Sequence, residues 1–153
     1  MKIEENLKKL NIELPKAPKP VGSYAAFKIV NNLIFISGQI SLKPNGELIK
    51  GKVGLNLSLE QGQEAAQVCA VNILSQIKSA CNGDLDKVKN CVKITGYVNS
   101  NDSFTDQPKV INGASELLVK VLEENGIHSR AAISVNSLPL GAAVEIDAIF
   151  EIN

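Results

Sequence analysis

The chain has 153 residues, 44% of them hydrophobic, which is enough for one compact domain with a proper core. Its 16 basic and 16 acidic residues cancel to a formal net charge of zero, and aromatics make up only 4%, with no tryptophan. That balance excludes electrostatic steering toward nucleic acid or an anionic membrane and leaves few stacking platforms for bases, so the expected partner is a small molecule or another protein.

Residues 1–11 carry Ile3, Leu7 and Leu10 on one stripe and predict a short amphipathic helix. "LPKAPKPVG" follows, whose Pro15, Pro18 and Pro20 require an extended chain, so residues 1–20 form a helical and proline-rich extension to a domain that spans 1–153. Segments 24–30 and 32–38 read as two strands turning at Asn31-Asn32. The glycine-dotted loop after them has room for one short strand. Ser58, with Gln61 three residues on, has the spacing of a capping box, and Ala65, Cys69, Ile73 and Ile77 continue the helix to Asn82-Gly83. Residues 87–99 predict a strand with Val92, Ile94 and Val98 on one side. A helix over about 106–125 then places Val110, Ala114, Leu117, Leu118, Val121 and Leu122 on one face. Two final strands, 130–137 and 143–152, flank "LPLGA".

This order predicts an α+β domain, a mixed sheet with two long helices packed on a single face. Alternation along the last two strands sets Ala131, Ile133 and Val135, with Val144, Ile146, Ala148 and Phe150, on the core side. Arg130, Ala132, Ser134 and Asn136, with Glu145, Asp147 and Glu151, take the other. Leu33 and Phe35 oppose Ile34 and Ile36, so the helix-free face is partly apolar and is expected to be covered by other copies of the chain.

Cys69, Cys81 and Cys91 have no C-x-x-C spacing, and with a single histidine they make no convincing zinc site. Free thiols in a reducing cytoplasm are the expectation, and the N-terminus has no apolar core of a signal peptide. Arg130 is the only arginine among the 16 basic residues. Its planar fork suits a carboxylate, either that of Glu145 in an ion pair across a hairpin or that of a ligand in a cleft where Glu145 handles protons.

Four stretches together resemble the RidA/YjgF family of reactive-intermediate deaminases: "PVGSYAAF" (20–27), "NLIFISGQI" (32–40), "VINGASELL" (110–118) and "SRAAISVNSLPLGAAVEIDAIFEI" (129–152). The likeness runs from about Leu14 to the C-terminus and identifies the chain as a longer-chain member. It implies a chorismate mutase-like fold, a homotrimer with a β-barrel core. It also implies hydrolytic deamination of 2-imino and 2-enamino acids, such as 2-aminoacrylate, to 2-oxo acids and ammonia, in a pocket between subunits. No metal or organic cofactor is implied. Position by position, Arg130 matches the substrate-carboxylate arginine and Glu145 the water-handling glutamate. Tyr24, Gly38 and Asn112 match pocket residues, and Ala132 supplies a backbone carbonyl where other members carry cysteine. Asp147 is the competing carboxylate. His128 replaces the usual proline-alanine approach to the arginine, as a residue of an exposed loop or of the pocket rim. A non-catalytic protein that binds small carboxylates is the alternative. A ribonuclease reading is opposed by the charge balance and the lack of a histidine pair.

Overall fold

Ser58 Oγ accepts the backbone N–H of Gln61 at 3.1 Å, and Gln61 Oε1 accepts the N–H of Ser58 at 2.8 Å. This reciprocal cap satisfies two donors that a helix start leaves orphaned. It opens the central helix of the computed structural model, which describes residues 2–153. Met1, the first residue of the predicted first helix, lies outside the described residues. The elements in order are α1 (Lys2–Lys9), β1 (Phe27–Val30), β2 (Leu33–Ile40), α2 (Leu59–Ala80), β3 (Val88–Asn99), α3 (Gln107–Leu122), β4 (Ser129–Val135) and β5 (Val144–Ile152). The fold is α+β as predicted, with α2 and α3 on one face of a five-stranded sheet. No described helix is long and apolar enough to cross a membrane.

The alanine-rich stripe of α2 is buried completely, together with Ile73, Leu74 and Ile77. Small residues there let the helix lie close to its neighbours. A Cβ on Gly113 of α3 would come 2.3 Å from the Gln63 carbonyl of α2, and one on Gly96 of β3 would come 2.4 Å from Ile111. Bare backbone at these two points thus sets how closely α3 seats on α2 and on the sheet. The predicted apolar face of α3 is buried throughout, from Val110 to Leu122. The Asn31 turn adopts φ 54°, the left-handed conformation that asparagine tolerates.

Sheet order is β1-β2-β5-β3-β4. Only β3 and β4 run parallel, and α3 supplies their crossover. Strands β4 and β5 were expected to adjoin as a hairpin. They do not, because β3 lies between them and pairs with both. The "LPLG" stretch carries the chain past that strand, with Leu140 at φ 59°. Val92 also departs from expectation. A register shift between Cys91 and Lys93 buries Cys91 and leaves Val92 exposed. The loop after β2 holds isolated bridges in place of a further strand. It is pinned where Lys52 Nζ donates to Asn99 Oδ1 at 2.9 Å.

The N-terminal extension divides between two jobs. Leu7 of α1 is buried against the core, and Asn6 donates to the Val121 carbonyl of α3 at 3.0 Å. Farther on, the buried Gln76 side chain holds the Pro18 carbonyl at 2.7 Å and so fixes the proline-rich segment on α2.

Replacing Gly113 with alanine is expected to lower unfolding free energy by about 1–3 kcal/mol, since a backbone carbonyl cannot give way as a flexible side chain can. A chemical denaturation midpoint measures it. A midpoint equal to that of the native chain would show that the helices separate at no cost.

Candidate active site

Two groups of functional side chains form, and they lie apart. The first surrounds Glu145. A register shift between Ile36 and Gln39 of β2 brings Gly38 against β5, where a Cβ would stand 2.8 Å from Glu145 Oε1. Glycine there leaves room for the carboxylate. Pro20, Val21, Tyr24, Gly38, Leu140 and Glu145 help to line a cavity of about 420 Å³. Its wall is therefore built partly from the proline-rich segment that Gln76 anchors. Tyr24 is exposed, and its hydroxyl accepts only a long contact, 3.4 Å, from the Val21 N–H.

Burial raises the Glu145 carboxyl above the ordinary carboxylate range, and the negative charge of Asp147 raises it further. The two acids differ in their partners. Asp147 accepts the Tyr97 hydroxyl at 3.0 Å, whereas no described side chain donates to Glu145. Tyr97 is itself raised, first by burial and then by Asp147. Of the two carboxylates, Glu145 is the one free to work on a guest in the cavity.

The second group surrounds Arg130 at the edge strand β4. Its register partner is Ile94, a fully buried residue that points at the helices. Arg130 therefore extends along α3, where Nη1 donates to Ser115 Oγ at 3.1 Å and Nη2 to the Pro108 carbonyl at 3.0 Å. Pro108, Asn112 and Ser115 recur at helical spacing, so half-buried Asn112 shares the stripe that faces the guanidinium. Ala132 follows Arg130 on the same side and pairs with Gly96. Among the described residues no carboxylate lies within ion-pairing distance of Arg130.

This arrangement corrects the sequence reading in one respect. Glu145 pairs with Tyr97 on the helix-free face, while Arg130 aligns with Ile94 on the helix face. The two are on opposite faces with β3 between their strands, so no ion pair joins them. Conversely, Ala131 and Ile133 belong to the helix-free face and not to the core, and Ile133 is 48% exposed. Within one chain the structure brings together Tyr24, Gly38 and Glu145, and separately Arg130, Asn112 and Ala132.

One participant, Ser115, was missed, and the exposed-loop reading of His128 is corrected. Ser115 touches both Arg130 and the ring of His128, whose Nε2 is 2.9 Å away. His128 Nδ1 lies 2.6 Å from the Gly126 carbonyl. The histidine is thus half-buried and bonded on both ring nitrogens, not a free loop residue. The available signal was Ser115, three positions beyond Asn112 and so on the same side of α3.

Residues 4–151 match the family model described as "YjgF/chorismate_mutase-like, putative endoribonuclease". The chain belongs to this family, YjgF/RidA. It is 42% identical to Protein TCP17 of Trypanosoma cruzi over 153 residues, covering 99% of this chain and 95% of that one. It is 31% identical to the 2-iminobutanoate/2-iminopropanoate deaminase of Rattus norvegicus, over 90% of this chain and 86% of the other. Among solved structures, protein Atu1372 of Agrobacterium tumefaciens, of unknown function, superposes with TM-score 0.92 at 45% identity, over 99% of this chain and 94% of that one. The α+β sheet and helices described above are thus a YjgF/chorismate mutase-like fold.

The pKa of Glu145 supplies a direct check. Its carboxyl should titrate above the ordinary carboxylate range in side-chain NMR, and Asp147→Asn should move it down by removing the adjacent charge. Because the folded value is the raised one, the stability linked to this group is present below the unfolded value and lost as pH rises through the folded one. A Glu145 carboxyl that ignores Asp147→Asn would show that the two charges do not interact.

Proposed function

We propose that the protein is a cofactor-free hydrolase that deaminates 2-imino and 2-enamino acids, and that its pocket is completed between copies of a cytoplasmic homotrimer. One observation carries this reading. The guanidinium of Arg130 is held in place by neutral oxygens and has no carboxylate partner among the described residues, as an anion receptor requires. Curated relatives named 2-iminobutanoate/2-iminopropanoate deaminase support the choice of reaction.

In the proposed reaction Arg130 grips the substrate carboxylate through N–H groups not used by Ser115 and Pro108. That grip fixes the adjacent C=N carbon for attack. Water adds to this carbon while Glu145 of a neighbouring copy takes its proton, and the proton passes to the nitrogen. The carbinolamine then collapses: Glu145 takes its hydroxyl proton and delivers a proton to the nitrogen as the C–N bond breaks, yielding the 2-oxo acid and ammonia. The raised carboxyl of Glu145 suits it to return a proton as well as accept one. The Ala132 carbonyl is available to hold the water, a role that needs no side chain. Tyr24, Gly38 and Asn112 complete the walls. Neither nucleic acid nor a membrane takes part.

Assembly follows from the helix-free face. Phe35 is 41% exposed there and Ile133 48%. Ile133 shares a row with Tyr97 and Glu145, and Ala131 with Thr95 and Asp147, so the face is partly apolar, and burial against other copies would cover it.

The deciding experiment generates 2-aminoacrylate in situ and follows 2-oxo acid release. The native chain should accelerate it, Arg130→Ala should return it to the spontaneous rate, and Glu145→Gln should lower kcat by about 10²–10⁴. An unchanged rate in a folded Arg130→Ala protein overturns the reading. Carboxylate binding without any turnover would instead identify a binding protein. Separately, Ile133→Asp should dissociate the assembly in sedimentation equilibrium and abolish turnover, although both site residues remain. Activity that persists in a monomer would remove the shared pocket.

A further inference from the structure

Arg130 is the last link of a hydrogen-bonded chain that begins at a backbone carbonyl. The Gly126 carbonyl can only accept, so the Nδ1 of His128, 2.6 Å away, carries its proton toward it. In the neutral ring Nε2 is then an acceptor, and at 2.9 Å it takes the hydroxyl proton of Ser115. The serine proton being so committed, its oxygen lone pairs remain for Arg130 Nη1 at 3.1 Å. Each link from Arg130 to Ser115 to His128 to Gly126 thus joins one donor to one acceptor. The Pro108 carbonyl holds Nη2 from the other end of the same helix stripe.

We infer that His128 and Ser115 are positioning residues for the substrate carboxylate, acting through Arg130. A deepening of the deaminase reading, this rests on Arg130 being the carboxylate receptor. The chemistry of the partners supports the role. An aspartate or glutamate beside the guanidinium would fix it equally well but would fill its fork and cancel its charge. A hydroxyl fixes it while leaving the charge whole for an incoming acid. Serine alone could rotate its proton toward the helix backbone or solvent, and the histidine acceptor removes that freedom. The arginine therefore loses its rotamer choices before the substrate arrives and not on binding. The relay binds the ground state and the transition state alike, so its loss acts on KM and not on kcat.

Steady-state kinetics on 2-iminopropanoate made in situ, with calorimetric titration of the full chain by 2-oxobutyrate, test the relay. Ser115→Ala should raise KM and the 2-oxobutyrate Kd about tenfold and leave kcat within about twofold. Ser115→Thr, which keeps the hydroxyl, should restore native values. His128→Ala should match Ser115→Ala, and the double variant should be no worse than either, because both interrupt one path. Additive losses, native KM and Kd in either alanine variant, or a fall in kcat at constant KM, would each overturn the relay. Arg130→Ala separates the two claims. If it abolishes 2-oxobutyrate binding while Ser115→Ala and His128→Ala bind normally, the relay alone fails. If Arg130→Ala itself binds normally, the receptor reading fails and takes the relay with it. Should His128→Ala not fold, the serine pair decides, since it changes a single hydroxyl group.

Discussion

A guanidinium fastened only to neutral oxygens keeps its full charge available, and that condition governs the chemistry open to this fold. Ser115 and Pro108 satisfy part of the Arg130 fork and orient the rest. Had any acid on β5 reached it, the pair would have been self-satisfied and closed to an outside anion. The sheet prevents this by interposing β3 and by sending the arginine and the acids to opposite faces. Separation within the chain is thus what leaves both charges unspent.

Holding the guanidinium still requires α3 to sit at a fixed distance from β4. Gly96 lets Ile111 press onto the sheet, and Gly113 lets α3 approach the backbone of α2. The parallel crossover from β3 through α3 to β4 then sets the stripe of Pro108, Asn112 and Ser115 beside the arginine. A second device acts at the other group. The bulge in β2 brings a residue without a side chain against Glu145, and buried Gln76 holds the proline segment that walls the cavity. Packing away from the two groups therefore determines the position of each candidate site residue.

Much of this was legible in the sequence for local reasons. The Ser58–Gln61 cap, the apolar face of α3 and the Asn31 turn depend on residues a few positions apart, and each formed as read. Alternation also held within β5, where Val144, Ile146, Ala148 and Phe150 are all buried. It failed between strands, because a period of two says which residues share a side and not which side that is. On edge strand β4 the polar set of Arg130, Ala132 and Ser134 faces α3, and the more apolar set of Ala131 and Ile133 faces outward. The last two strands were read as adjoining elements, but Leu140 in a left-handed conformation helps to carry the chain past β3 instead. The His128–Ser115 contact joins a strand entry to the middle of a helix, and no local pattern encodes it.

In the proposed trimer two influences on Glu145 oppose each other. Burial and Asp147 already favour its protonated form. A neighbouring guanidinium would favour the ionised form, and in the empty pocket it would hold Glu145 charged and ready to accept a proton. A bound substrate carboxylate largely cancels that guanidinium, so burial and Asp147 regain their hold as the site fills. In the proposed reaction the same carboxylate takes a proton as water adds and returns one as nitrogen leaves, so it must sit between these two opposing influences. Substrates lacking the carboxylate would fail on two grounds, losing both their anchor and the adjustment of the proton carrier.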